Sequence, residues 1–100
     1  MNKVLVMLTA AGISLSIGSA YAYDGMEFQN QAKIGIKEAR AIALKAFPGK
    51  ITDEELEKEA GGSGLRYSFD IKKNGVTREV GVDAKTGKVL ENDPESSNPD

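Results

Sequence analysis

Apolar and polar residues alternate strictly between Leu65 and Lys72, where every second side chain is apolar. A period of two with polar alternates is typical of a strand whose sheet has one face toward water. A second stretch, residues 76–83, carries valines on one side and mostly polar groups on the other. Asn74-Gly75 lies between the two stretches and supplies the positive φ angles of a two-residue hairpin turn. The pattern therefore predicts a β-hairpin closed at Asn74-Gly75.

The position of the turn also predicts the register of this hairpin. The expected pairs are Phe69 with Val80, Tyr67 with Val82, and Arg66 with Asp83. A slip of one residue would set Phe69 against Glu79 and turn the apolar row to water, so the register is well specified. Two placements are unfavourable, because Arg78 falls on the apolar side and Asp70 faces Glu79.

An apolar stripe at three- and four-residue spacing predicts one amphipathic helix over residues 34–47. Gly35 is placed as its N-cap, and Glu38 stands at the position that completes a capping box. Pro48-Gly49 ends the helix, because the residue before a proline disfavours the α conformation. The stripe is rich in alanine, which lets a helix lie close against a sheet.

Residues 50–60 are ambiguous from the local pattern. High helix propensities, Thr52 as a cap and Glu55 as its capping-box partner favour a helix. Only Ile51 and Leu56 would anchor a strand there, and glutamate is a poor strand former. A helix, however, would have a short apolar stripe and little to bury.

A second turn, over residues 83–87, follows the hairpin. Asp83 is placed to accept hydrogen bonds from the backbone N–H groups two and three residues on, and Gly87 can take the left-handed conformation. Thr86 belongs to the same turn. Asp83 and Thr86 are interpreted as turn residues and not as catalytic ones. Val89-Leu90 then returns as a short strand.

Both ends of the chain are predicted to lie outside the folded domain. Residues 1–22 combine a positive start, an apolar run and Ala20-Tyr21-Ala22, which predicts a signal peptide cleaved after Ala22. The apolar run is too short for a membrane span of ~20 residues. Residues 23–33, which we call the lead-in, show no sustained period and are predicted to be flexible, with a short edge strand as the alternative. Residues 92–100 are polar and acidic and are predicted to be disordered.

The chain contains no cysteine and no histidine. No disulfide, thiol nucleophile, imidazole metal site or Ser-His-Asp triad can therefore be built, and we predict a non-enzyme without a cofactor. Export without disulfides indicates a bacterial periplasmic or secreted location. The net charge of −2 becomes −3 when Lys3 leaves with the signal peptide. That charge argues against nucleic acid or an anionic membrane as a partner, and no stable membrane insertion is expected after cleavage.

A run of carboxylates lies in the ambiguous stretch, at Asp53, Glu54, Glu55, Glu57 and Glu59. Carboxylates bind a hard cation only where they converge, whereas along a strand they alternate between the two faces. We interpret the run chiefly as a solvated face. The candidate partner-binding edge consists of Asp53, Glu55, Glu57 and Glu59, and a cation site is the remaining alternative.

Two motifs at a characteristic separation resemble the PepSY domain family. The first is the Glu-Ala…Ala-Leu…Pro-Gly helix end over residues 38–49, and the second is Val-Asp-x-x-Thr-Gly-x-Val over residues 82–89. The resemblance covers residues 34–91 and implies an α+β fold, with one amphipathic helix packed on a small antiparallel meander sheet of three to four strands. It also implies that residues 51–59 form the first strand, and we adopt the strand. Two positions depart from the family: Gly35 stands where Ser or Thr is common, and Glu54 stands where an apolar residue is common.

The resemblance further implies a role in restraining peptidases, since such domains occur in protease propeptides and as free-standing secreted or periplasmic proteins. We expect an exported, non-catalytic binding module whose partner is an envelope or secreted peptidase. An acidic edge strand can add to a partner's sheet, with main-chain hydrogen bonds giving affinity and charge giving orientation. The alternative is an envelope sensor or accessory domain that binds a cation or a small ligand.

Overall fold

The computed structural model describes residues 22–95, and its elements follow one another in a simple order. They are a 3-10 helix (Met26–Gln31), α1 (Ile36–Ala46), β1 (Lys50–Lys58), β2 (Leu65–Lys73), β3 (Val76–Asp83) and β4 (Val89–Pro94). The strands form one antiparallel sheet in the order β1-β2-β3-β4, and α1 packs across β2, β3 and β4. The predicted architecture, one helix on an antiparallel meander sheet, is confirmed.

The hairpin of β2 and β3 has the register that its turn predicts. Asn74 and Gly75 have φ angles of 53° and 80°, both in the left-handed region that this turn requires. Phe69 pairs with Val80, Tyr67 with Val82 and Arg66 with Asp83. The apolar alternates of both strands consequently lie on the same side of the sheet.

The core lies between α1 and this side of the sheet, which we call the covered face. The buried apolar side chains are Leu56, Leu65, Tyr67, Phe69, Ile71, Val80 and Val82 from the strands, Ala84 from the second turn, and Ala39 and Ala43 from the helix. The two helix alanines have no exposed surface, so the helix meets the sheet through its smallest side chains. The Tyr67 hydroxyl donates a hydrogen bond of 2.9 Å to the carbonyl of Ile34, which satisfies the polar end of a buried ring.

Helix α1 begins later and ends earlier than the apolar stripe suggested, at Ile36 and Ala46. Gly35 is the N-cap in an extended conformation, without a side-chain hydrogen bond because glycine offers no acceptor. Phe47 is the C-cap, and its ring carries the guanidinium of Arg78 at 5.4 Å from the centroid. Arg78 also donates from Nε to Asn92 Oδ1 at 2.8 Å, so its place on the covered face costs less than the sequence indicated.

Strand β1 confirms the family-based expectation for the ambiguous stretch. It pairs with β2 along its whole length, with an irregularity between Ile51 and Asp53. Leu56 is 2% exposed and Ile51 packs half-buried against the core, so the two expected apolar residues anchor the strand. Glu54 points to the covered face, where Arg40 holds it with two hydrogen bonds of 2.8 Å. This pair explains how an acidic residue is tolerated where the family commonly has an apolar one.

The ends of the folded part differ from the predictions in two places. The lead-in, for which no regular structure was expected beyond the alternative of an edge strand, contains the 3-10 helix, and Asp24 forms an isolated parallel bridge with Glu55 of β1. Strand β4 continues to Pro94, so Asn92 and Asp93 pair with β3 although we assigned them to a disordered tail. Residues 96–100, and residues 1–21 of the predicted signal peptide (residues 1–22), lie outside the described residues. Between residues 22 and 95, no helix is long and apolar enough to cross a membrane.

Candidate functional site

The side of the sheet that faces away from α1 carries the polar alternates of all four strands, and we call it the open face. Its residues are Lys50, Asp53, Glu55, Glu57, Arg66, Ser68, Asp70, Lys72, Thr77, Glu79, Gly81, Asp83, Glu91 and Asp93. Because residues that pair across a ladder share a face, this set follows directly from the register. Carboxylates dominate its centre.

One row of the open face consists entirely of carboxylates. Asp53 on β1 pairs with Asp70 on β2, Asp70 pairs with Glu79 on β3, and Glu79 pairs with Asp93 on β4. Neighbouring strands are ~4.8 Å apart, so like charges in such a row repel one another across the sheet. The row therefore concentrates acidic groups across the whole width of the open face.

The two central members of this row bind protons unusually tightly. Partial burial, together with the charges of Glu95 and Asp53, raises the pKa of Asp70 to about 6. Partial burial and the charges of Glu91 and Asp70 raise the pKa of Glu79 to about 7. The placement of Asp70 opposite Glu79, which the sequence suggested to be a small local cost, is therefore part of a larger electrostatic feature.

Arg66 is the cation at the centre of the open face, and its side chain is 9% exposed. Its Nη1 lies 3.2 Å from Glu59 and 3.3 Å from Glu91, and its Nη2 donates to the carbonyl of Ala60 at 3.1 Å. Its Nε has no hydrogen-bond partner among the described residues. Arg66 thus links the end of β1 to β4, and it does not form an ion pair with Asp83, its partner in the register.

Asp83 serves the loops at the end of the sheet. It accepts hydrogen bonds from the backbone N–H groups of Ser63 (2.6 Å), Lys85 (2.8 Å) and Thr86 (3.1 Å), and from the Ser63 hydroxyl (2.8 Å). Burial by itself would raise the pKa of Asp83, but these hydrogen bonds prevail and lower it to about 2. Gly87 closes the turn with φ of 81°. The arrangement stabilises the turn, and the Asp83 side chain is almost fully buried within it.

The structure brings together most of the residues of the candidate edge. Asp53, Glu55 and Glu57 share the open face of β1, the outer strand of the sheet, whereas Glu54 lies on the covered face. Glu59 follows the end of β1 and reaches Arg66. The Ser68 hydroxyl donates to Glu57 at 2.8 Å, and burial raises the pKa of Glu57.

Sequence reasoning missed that β2, β3 and β4 extend this acidic surface. Asp70, Glu79, Glu91 and Asp93 lie beside the β1 carboxylates only because the strands pair in this register. The signal was present for Asp70 and Glu79, whose places in the hairpin follow from its alternation. Sequence reasoning also missed that the lead-in reaches the edge of β1, where the carbonyl of Asp24 accepts a hydrogen bond of 2.8 Å from Leu56 N–H.

The described part of the open face has no preformed metal-binding site. Within residues 22–95, no three acidic, cysteine or histidine side chains are grouped so that they can hold a metal ion.

Comparison with known proteins identifies one sequence family that matches the helix and the sheet. The sequence model of PepSY, described as "Peptidase propeptide and YPEB domain", matches residues 33–93. Neither a curated protein sequence nor a solved structure gives a significant match. The matched range contains α1 and β1 to β3 entirely, and β4 except for its last residue.

Proposed function

Because the chain belongs to the PepSY family, we propose that it is an exported, non-catalytic module that regulates a peptidase by binding to it. The family is linked to peptidase regulation, through propeptide and inhibitor-like modules that are generally non-catalytic. PepSY domains are also typically extracellular or periplasmic. The pattern of residues 1–22, with its positive start, apolar run and Ala20-Tyr21-Ala22, supports export of this chain.

The observation that carries the proposal is the outer strand β1 with its carboxylates on one side. An outer strand presents backbone donors and acceptors that a segment of another protein can pair with. Asp53, Glu55 and Glu57 stand beside that edge on the open face. The backbone would supply affinity, and the charges would orient a partner segment and exclude acidic ones.

The open face extends this complementarity to a wider partner surface. Its carboxylates from β2, β3 and β4 continue the negative charge away from the edge, and Arg66 already has acidic partners. The peptidase surface that fits is therefore cationic around the segment that meets β1.

An inhibition assay tests this function. The purified protein is titrated against a metallopeptidase co-secreted by the source cell, and we expect saturable inhibition at micromolar concentration or below. Reversing one edge charge, with Glu55→Lys or Glu57→Lys as single variants, is expected to weaken inhibition by about tenfold, because charge guides the encounter and the register.

Glu38→Lys is the matched control for this experiment. Glu38 is an exposed carboxylate in the first turn of α1, away from β1, so its reversal adds the same kind of charge change elsewhere. Equal weakening by Glu38→Lys would mean that total charge, not the β1 edge, governs binding. Absence of inhibition of every envelope peptidase tested at micromolar concentration would refute the proposed function.

A further inference from the structure

The edge of β1 is already occupied at its centre by the chain itself. Leu56 directs its N–H away from β2 and donates it to the carbonyl of Asp24 at 2.8 Å. In an antiparallel ladder the outward direction alternates, so the N–H groups of Glu54 and Lys58 point to the same side. Neither of these two groups has a backbone partner in the lead-in as far as the structure describes it. Of the three N–H groups on this side of β1, that of Leu56 is therefore hydrogen-bonded, and those of Glu54 and Lys58 on either side of it are open to another strand.

Gly25 makes this contact possible. Its φ of +84° lies in the left-handed region, and a Cβ added to it would lie 1.6 Å from the carbonyl oxygen of Leu56. Only glycine fits between the lead-in and β1 at this point, because any side chain would collide with backbone rather than with a movable group. The approach of the lead-in to the edge is thus specified by a single residue.

The rest of the lead-in is held by few contacts. No residue of its 3-10 helix is buried. Lys58 Nζ lies 5.1 Å from the centre of the Phe28 ring, and the ring of Tyr23 lies 6.5 Å from that of Tyr67. The last residue of the lead-in also donates its N–H to the carbonyl of Ala84 at 2.9 Å. A segment with few hydrogen bonds to the rest of the fold and only half-buried side chains opens more readily than the core elements do.

We propose that the lead-in is a removable internal cover of the β1 edge, and that an extended, basic segment of the regulated peptidase replaces it. The inference rests on the proposed function. It adds the site of contact, the kind of segment that binds there, and the part of this chain that regulates access to it. The incoming segment would take the Leu56 N–H from Asp24 and pair in addition with Glu54 and Lys58. Each complex therefore forms at the expense of the lead-in contact.

The chemistry of the occupant follows from the two faces of β1. On the open face, Asp53, Glu55 and Glu57 favour lysine or arginine at every second position of the segment. On the covered face, the positions between them lie beside Leu56, where Phe28 and Tyr23 of the lead-in pack against the core. An alternation of basic and apolar residues fits both faces.

The first test measures the cover without any peptidase. In Gly25→Ala the added Cβ collides with the Leu56 carbonyl, so amide exchange at Leu56, followed by NMR, is expected to accelerate about tenfold or more. Exchange at Glu55 and Glu57, whose amides face β2, is expected to stay unchanged. Gly64→Ala is the matched control, because Gly64 has a similar φ of +93° but no atom within 4 Å of the added Cβ. Unchanged protection of Leu56 in Gly25→Ala would overturn the proposal.

The second test measures whether the uncovered edge of β1 binds a peptide as an additional strand. The probe is a synthetic peptide of about seven residues that alternates lysine and valine. We expect it to bind Gly25→Ala about tenfold more tightly than the parent, with the largest amide shifts at Glu54, Leu56 and Lys58. A peptide alternating glutamate and valine is expected not to bind. Equal affinity of the basic peptide for the parent and for Gly25→Ala, or shifts elsewhere, would overturn the proposal.

A second variant keeps the test decisive if Gly25→Ala does not fold. Phe28→Ala removes the half-buried ring beneath Lys58 and leaves every fully buried side chain in place, and it is expected to change both readouts in the same direction. The peptide readout also separates this inference from the proposed function. Peptide binding at the edge without inhibition of any peptidase would refute the function alone, whereas inhibition that is unaffected by Gly25→Ala and Phe28→Ala would refute the cover alone.

Discussion

At the residue scale, Asp83 shows how one carboxylate joins two loops. It accepts hydrogen bonds from Ser63 in the glycine-rich loop before β2 and from Lys85 and Thr86 in the turn before β4. Asp83 is 1% exposed, so these hydrogen bonds, and not water, satisfy its carboxylate oxygens. Asp83 therefore contributes to stability by holding the two loops together through a buried, hydrogen-bonded charge.

We expect Asp83→Ala to lower the free energy of unfolding by about 3 kcal/mol, because the four hydrogen bonds that join the two loops are lost. Asp83→Asn keeps one acceptor oxygen and is expected to cost less. Urea unfolding followed by circular dichroism measures both. Asp53→Ala, on the outer strand with an exposed side chain, is the control and is expected to change stability little. A loss below about 1 kcal/mol in Asp83→Ala would contradict this role.

Two other residues show that a local mismatch can be resolved by a distant partner. Glu54 stands on the covered face because Arg40 of α1 binds it with two hydrogen bonds. Arg78 stands on the same face because Asn92 and the ring of Phe47 receive its guanidinium. In both cases the charged side chain is paired across elements, which removes most of the cost of its position.

At the element scale, β2 is the strand on which the fold depends. It pairs with β1 and β3 and carries Tyr67, Phe69 and Ile71 into the core beneath α1. Helix α1 meets this strand through Ala39 and Ala43 and has no other fully buried side chain. Loss of a large side chain from β2 therefore removes contacts of the helix and of the sheet together.

We predict that Phe69→Ala unfolds the isolated domain. Phe69 is 0% exposed, and deletion of a buried phenylalanine costs about 3–5 kcal/mol, comparable to the whole stability of a domain of this size. Thermal unfolding followed by circular dichroism tests this. Val76→Ala is the control, because Val76 follows the same alternation on β3 but is 48% exposed. A cooperative transition of Phe69→Ala near the melting temperature of the parent would contradict the core assignment.

At the scale of the whole molecule, charge is divided unevenly between the two faces of the sheet. The covered face pairs its charges individually, whereas the open face gathers carboxylates from all four strands around Arg66. The raised pKa values of Asp70 and Glu79 result from partial burial and, after it, from the charges of the neighbouring carboxylates. The same surface is the one that we propose to face a cationic partner.

This arrangement predicts that the protein is more stable at pH 5 than at pH 8. A carboxyl group whose pKa is higher when folded than when unfolded binds more protons in the folded state, so stability falls as the pH rises through the interval between the two values. For Asp70 that interval ends at about 6, and for Glu79 at about 7. We expect a gain of about 1–2 kcal/mol on going from pH 8 to pH 5, a figure reduced for screening by solvent.

Urea unfolding across this pH range measures the effect. The double variant Asp70→Asn, Glu79→Gln removes both titrating groups, so its stability is expected to change much less between pH 8 and pH 5. Below pH 4 the opposite trend is expected, because the pKa of Asp83 is lowered to about 2 and protonation of Asp83 then favours the unfolded chain. Greater stability of the parent at pH 8 than at pH 5 would contradict this account.

Several features of the fold follow from the sequence alone, and they are the local ones. The hairpin register depends on Asn74-Gly75 and on the strict alternation of β2, so every residue that specifies it lies within 20 positions. The core positions of α1 follow from its periodicity, and its end follows from Pro48. The composition, without cysteine or histidine, excludes a disulfide and any thiolate or imidazole ligand from this chain.

Tertiary structure decided the features for which local preference was weak or misleading. Residues 50–58 favour a helix by propensity but form β1, because pairing with β2 satisfies their backbone and buries Leu56. The lead-in has no period of its own and is ordered by the edge of β1, and β4 continues through acidic residues because β3 provides a ladder. The candidate site is of the same kind: its carboxylates come from four strands, and only pairing between strands places them on one surface, since electrostatic coupling acts through space and not along the chain.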